Sequence, residues 1–541
     1  MKDKRTVGDG ILLTFTTLAL KTAGVMFSAK LAAVAGAEAM GLSSQIASVY
    51  SFAVTAAAAG VNLGAMRLTS ESRGAGRESE IRSGIRCALS YCAGTGTVTA
   101  VLLFLLAPFF ALKLIGAPEA ILPLRLLAAA IPCISAAGAF HGYFAGVRRV
   151  YKSAVVNVLE QVIRITVTLS GLYGISGEAS PIPGILTQAV SGSVSRLLAL
   201  DAQIFGGITA SSARAVACLT VVFGSVCSEL ISFSALLLLY LADSRRYTPS
   251  RSTSHARRAH LFSEFLRITA PMAVSAILRS GLSSAEHLML PIGLRKFGSE
   301  NALAEYGTVG GMAIPVILYP MALMNAFAQL NTVNISAEAS AGATRDELRE
   351  QVAKGISFAR TDGIGCSAIL RAFAHPLGDA IFHNPQAGKY IALLAAYASL
   401  AYLDHIADSM LKGLDCQAYV MKVNIADSAL GLLCTATLVP LLGVGGYILS
   451  LYLCEFVNCV LSVGKLMSVL GFSPDPLRFA LIPALCAAIS VGLLSHYLAD
   501  AVPLIPAIIL TALLYFSLTT LAKSALTRHK GKQVQICIRP R

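Results

Sequence analysis

With 55% hydrophobic and only 13% charged residues over 541 positions, the chain does not read as a soluble domain, in which about a quarter of residues are charged. A formal net charge of +14 would suit nucleic acid only if the basic residues shared a surface, and they sit instead in the connections between apolar runs. The apolar runs, such as 102–107 and 236–241, do not alternate as barrel strands must, so the expected class is an all-α polytopic membrane protein.

The charged segment 1–10 leads into a hydrophobic run too long for a signal-peptide core, although Ala33-Val34-Ala35 mimics a cleavage site. About 20 helical residues cross roughly 30 Å of hydrocarbon. On that measure the spans of a first half fall at 8–29, 43–65, 88–110, 122–146, 153–174 and 215–242. The segment 175–214 holds Pro181, Pro183, Arg196 and Asp201, and reads as an outer-side loop with an interfacial helix. A basic cytoplasmic linker, 244–267, carries Arg245, Arg246, Arg251, Arg257 and Arg258. Spans then follow at 268–290, 306–333, 355–374, 389–411, 419–440, 443–464, 478–498 and 502–522, about fourteen in all.

These divisions predict an N-terminal six-helix lobe (1–243), a C-terminal six-helix lobe (268–465), and helices 13 and 14 with a basic tail (466–541). Roughly 31 of the 43 Lys and Arg fall in alternate connections and the termini, which places both chain ends in the cytoplasm. The twelve cysteines are scattered through apolar segments without a metal-ligand or CxxC spacing, and read as small fillers. An internal repeat supports the two lobes. Gly146, Asn157 and Glu160 have the same spacing as Gly413, Asn424 and Asp427, and Gly36-Ala37-Glu38 is echoed by Gly298-Ser299-Glu300.

Specific stretches carry a resemblance. LRSGLSSAEHLMLP at 278–291 and EYGTVGGMAIPVILYP at 305–320 resemble the seventh and eighth helices of the stage V sporulation protein B family. YLDHIADSMLKGLDCQAYVMKVNIADS at 402–428 resembles its tenth and eleventh helices, and GAEAMGL at 36–42 and the run from HGYFAG to EQVIR at 141–164 match in the first half. The sequence departs from that family at Ile292-Gly293, where a basic pair is usual, and at the charged Arg360-Thr361-Asp362. The resemblance implies membership of the superfamily that includes MurJ-type lipid II flippases and MATE antiporters, with two lobes around a central cavity. It further implies an alternating-access flippase for an undecaprenyl-pyrophosphate-linked peptidoglycan or polysaccharide precursor in the bacterial inner membrane, not an enzyme. It implies no resident cofactor; coupling to Na+, H+ or membrane potential is open. Expected partners are the lipid-linked substrate, membrane lipids and cell-wall synthesis enzymes, with no nucleic acid.

Charge within a span costs a few kcal/mol at mid-helix and therefore needs a partner, water or ligand. Lys21, Lys30, Arg164 and Arg279 are the cations that could meet a pyrophosphate, Arg as a fork and Lys as a point charge. Competing accounts are a Glu160–Arg164 pair four residues apart and snorkelling of the lysines. Glu286, His287, Asp404, Asp408, Asn424 and Asp427 are candidates for ion coupling or cavity polarity, with an Asp408–Lys412 pair as the structural account and Glu455 and Asn458 as interhelical glue. No metal-ligand set is expected. Three other functions compete: a MATE-like antiporter, disfavoured by the absence of Trp and the cationic spans; a membrane enzyme, with only His405 beside Asp404 and Asp408 to suggest it; and a scaffold of cell-wall or spore-cortex synthesis.

Overall fold

The computed structural model describes residues 2–74, 77–176, 183–205, 213–245, 255–474, 480–498, 502–529 and 538–540. It divides into two compact units, one of Val34–Gly307 and one of Met1–Ala33 with Thr308–Arg541.

The first unit begins inside α1 (Lys2–Ala58), a helix kinked at Gly36, where φ is 78° and ψ 172°. Only glycine adopts that conformation without strain. Gly298, its counterpart in the sequence echo, also has positive φ, 101°. After α2 (Val61–Gly74), α3 (Glu78–Phe109) runs on through a π-helical turn, Phe110–Ile115. Then come α4 (Ile121–Gly146), α5 (Val150–Ser176), α6 (Gly184–Phe205), α7 (Ala213–Ser244), α8 (His255–Phe297) and the short α9 (Ala302–Tyr306). The 22 residues of α6 occupy much of the segment expected to be loop.

The core of this unit joins Ile81 and Ile85 of α3, Phe140, Tyr143 and Phe144 of α4, Leu236 and Tyr240 of α7, and Phe265 of α8. The Phe140 and Tyr143 rings lie 5.1 and 5.0 Å from that of Tyr240, within the range of favourable aromatic pairing. On α3, Val98, Val101, Leu102 and Leu105 are exposed, as a helix facing lipid requires. Glycine sets how closely α4 approaches α2. A Cβ on Gly142 would strike the Asn62 carbonyl, and one on Gly146 the Met66 carbonyl and Thr69.

The second unit continues through a π-helical turn, Gly307–Ala313, that begins at the division between the units, then α10 (Ile314–Ile317) and α11 (Met321–Ser340). A capping box of Thr344 and Glu347 starts α12 (Arg345–Ala372), each side chain meeting the other's backbone N–H. Next are α13 (Ala374–Phe382), α14 (Pro385–Leu394), α15 (Tyr397–Gly413), α16 (Gln417–Leu442), α17 (Val444–Leu470), α18 (Ile482–Leu498) and α19 (Leu504–His529). A three-residue antiparallel ladder, Phe472–Pro474 with Ile538–Pro540, is the only strand pairing among the described residues. Gly413 repeats the role of Gly146, for a Cβ there would meet the Thr332 carbonyl and Ile335 of α11.

The charge expected to be awkward at 360–362 is covered by the last helices. Tyr515 of α19 lies against Gly365 and donates its hydroxyl to the Thr361 carbonyl at 2.6 Å, while Lys523 Nζ donates to Thr361 Oγ1 at 2.9 Å. Thr361 and Asp362 are buried as a result.

Among the described residues, nine helices are long and apolar enough to cross a membrane, or ten with the α14–α15 pair, bent by 51°. The sequence reading of fourteen spans exceeds this count for local physical reasons. The first two expected spans are joined in α1 across the kink at Gly36 and count once, the eighth is interrupted by the π-helical turn, α12 carries Lys354, Arg360, Asp362 and Arg371, and the apolar part of α18 is short.

Candidate functional site

A buried polar group in the second unit lies where α15, α16 and α17 meet. Asp404 and Asp408 are one turn apart on α15, and Asn458 and Ser462 one turn apart on α17, so the two pairs face each other in register. Asn458 Nδ2 donates to Asp404 Oδ2 at 3.0 Å, and Ser462 Oγ to Asp408 Oδ1 at 3.0 Å. From α16, Asn424 Nδ2 donates to Asp408 Oδ2 at 3.1 Å. Glu455, one turn before Asn458, accepts from the Tyr397 hydroxyl at 2.8 Å. Asp404, Asp408 and Asn458 are 7%, 6% and 5% exposed, so these are interior contacts.

Two acceptors in this group take no hydrogen bond from the protein: Asp404 Oδ1 and Asn458 Oδ1, both buried. Leaving a buried oxygen unmatched costs about 1–3 kcal/mol. A set of acceptors around carboxylates suits a hard cation or a proton, which would offset that cost. No group of three or more His, Cys, Asp or Glu with metal-holding geometry occurs among the described residues. Lys412 is exposed, and Asp408 uses its two oxygens for Ser462 and Asn424, so the expected Asp408–Lys412 pair is not the one that forms. Asp427 lies on α16 one turn from Asn424.

In the first unit, Arg164 Nη2 lies 2.7 Å from Glu160 Oε1 and 3.6 Å from Glu229 Oε1, and its Nε donates to Ser228 Oγ at 3.5 Å. Glu229 on α7 escaped the sequence reading, although an acidic residue inside an apolar span was signal enough. Arg279 on α8 is exposed, with no hydrogen bond or ion pair among the described residues. Glu286 and His287 lie about two turns further along α8. The His287 Nδ1 is 3.4 Å from the Tyr306 hydroxyl, and its carbonyl accepts from Gln45. Lys30, on the segment of α1 that belongs to the second unit, is exposed; the Lys21 side chain lies outside the described residues.

Comparison with known proteins places this architecture. The fold is that of membrane transporters of the MOP superfamily. It superposes on a lipid II flippase, MurJ, in an inward closed conformation with a TM-score of 0.61 at 12% identity, covering 96% of this chain and 100% of that one. The inward-facing conformation of a multidrug resistance MATE family transporter matches with a TM-score of 0.60 at 14% identity, covering 84% of this chain and 95% of that one. Residues 7–206 match the family model described as polysaccharide biosynthesis protein. A sporulation protein of Bacillus subtilis (strain 168), YkvU, is 22% identical over 269 residues, 49% of this chain and 52% of that protein, so the match spans about half the relative's length. The chain is thus an all-helical, multi-pass membrane protein that resembles sporulation and polysaccharide-biosynthesis proteins in sequence and lipid and drug transporters in fold.

Proposed function

We propose that this protein carries a polyprenyl-diphosphate-linked saccharide, a peptidoglycan or polysaccharide precursor, across the bacterial inner membrane by alternating access, with both termini cytoplasmic. The observation that carries the reading is Arg279. A guanidinium exposed partway along an apolar helix is costly against hydrocarbon and stable against water or an anionic head group. Arg164, by contrast, is held between two carboxylates and serves as an internal tie. Lys21 and Lys30 complete the proposed set of cations for the diphosphate. The family model for polysaccharide biosynthesis supports the substrate class. In proteoliposomes, Arg279→Gln should abolish flipping of a fluorescent lipid-linked precursor at normal protein abundance. Full flipping by a Lys21→Gln, Arg279→Gln double variant would remove the anion-pairing mechanism.

A second reading, cation-coupled antiport of small molecules, is favoured by the Asp404–Asn458 acceptors. In either reading that group is the proposed seat of the coupling ion. Imposing Na+ and H+ gradients separately on wild type and Asp404→Asn tests it. Gradient-driven transport retained in Asp404→Asn would exclude this seat.

A further inference from the structure

α12 and α18 meet through small side chains, Ala368 packing against the buried Ala487, and beside that contact an open trough remains, bordered also by Ala396 and Ser399. Ser367, Ala368 and Ala372 on α12 and Ala484, Ala487 and Ala488 on α18 line a trough of about 600 Å³. In membrane bundles small residues normally let two backbones touch. Here they border a space of the size that ligand pockets occupy, where tight packing is the rule for protein interiors.

Arg371, the charged member of the lining, gives the trough a polar end. Arg371 is in the last turn of α12 and exposed, and its Nη1 donates to the Ala392 carbonyl near the end of α14 at 2.8 Å. That bond fixes the guanidinium and leaves further N–H groups to point elsewhere. Just beyond, the exposed His375, Asp379 and His383 mark the exit from apolar surroundings. The geometry points to a bound phospholipid with an anionic head group, one acyl chain lying along the alanine trough and the phosphate on Arg371. The lining carries a single cation, which matches a monoanionic phosphodiester, whereas a diphosphate-linked carrier calls for more than one. The lipid is therefore a component of the bilayer rather than the cargo, and it cements the α18–α19 pair to α12. The site is independent of what the protein transports.

The full-length protein, delipidated in detergent, would be titrated with phosphatidylglycerol, phosphatidylcholine and a polyprenyl diphosphate, with lipid retention read by native mass spectrometry and stability by thermal unfolding. Phosphatidylglycerol should be retained several-fold more than phosphatidylcholine and should raise Tm. Arg371→Gln, which deletes the cation and keeps a polar side chain, should erase that preference, and Ala488→Phe, at an exposed lining position, should fill the trough and lower retention of both phospholipids. Equal retention of the two phospholipids by wild type, or an undiminished preference in Arg371→Gln, would overturn the proposal whatever becomes of Ala488→Phe. Displacement of phosphatidylglycerol by the diphosphate would overturn the assignment to a bilayer lipid.

Discussion

Arg349 clamps the carbonyl of Leu470 with two donors, Nε at 3.1 Å and Nη2 at 2.9 Å, so the start of α12 caps the end of α17. The other unit repeats the device. Arg82, near the start of α3, directs its Nε at 2.9 Å and its Nη2 onto the Ser244 carbonyl that ends α7. In each case a guanidinium satisfies a carbonyl that helix geometry leaves without a partner and complements the negative end of the helix dipole. Arg349→Ala and Arg82→Ala should each lower stability by about 1.5–3 kcal/mol, the usual range for a charge-assisted hydrogen bond. Thermal unfolding of the detergent-solubilised protein reads this, and unchanged melting in both would mean the clamps are incidental.

Asp243 should be among the least replaceable residues of the first unit. Its side chain is 1% exposed, and it accepts from Arg149, from Lys152 at 3.3 Å and from the buried Tyr143 hydroxyl at 3.0 Å. Asp243→Asn leaves two cations without a counter-charge and should cost about 3–5 kcal/mol, seen as loss of folded protein from membranes. Tyr143→Phe removes one neutral donor and should cost about 1 kcal/mol.

The repeat-related glycines predict a paired result. Gly146→Ala and Gly413→Ala force a Cβ into a neighbouring helix and should each destabilise by about 1–3 kcal/mol. Gly138→Ala, where a Cβ meets nothing within 4 Å, should be neutral or slightly stabilising through helix propensity. Equal behaviour of all three would show that the close approaches at Gly146 and Gly413 carry no energy.

Arg164→Gln and Arg279→Gln should separate stability from transport. The first strands Glu160 and Glu229 in the α5–α7 interface and should lower abundance; the second should leave abundance intact while flipping is lost. The reverse pattern would reassign both residues.

Topology can be checked at Ser252, which lies outside the described residues and is expected on the cytoplasmic side. A cysteine introduced there should resist an impermeant reagent in intact cells. Ready labelling would invert the proposed orientation.

Composition and hydropathy by themselves determined that this is a multi-pass helical membrane protein, because the cost of unpaired backbone in hydrocarbon admits few alternatives. Spacing alone also marked Gly146 and Gly413, since a glycine that seats one helix on another leaves its trace at a single position. Tertiary structure decided which charges are spent internally. From sequence Arg164 had Glu160 as a possible partner one turn away on its own helix and Arg279 had none; the fold adds Glu229 of α7 to the first, from 65 positions away, and leaves the second exposed. It likewise gave Asp408 the side chains of Asn424 and Ser462 in place of Lys412, one turn along its own helix. Local periodicity reports only neighbours on the same helix, whereas a buried carboxylate is paired by whichever donor the packing of other helices delivers.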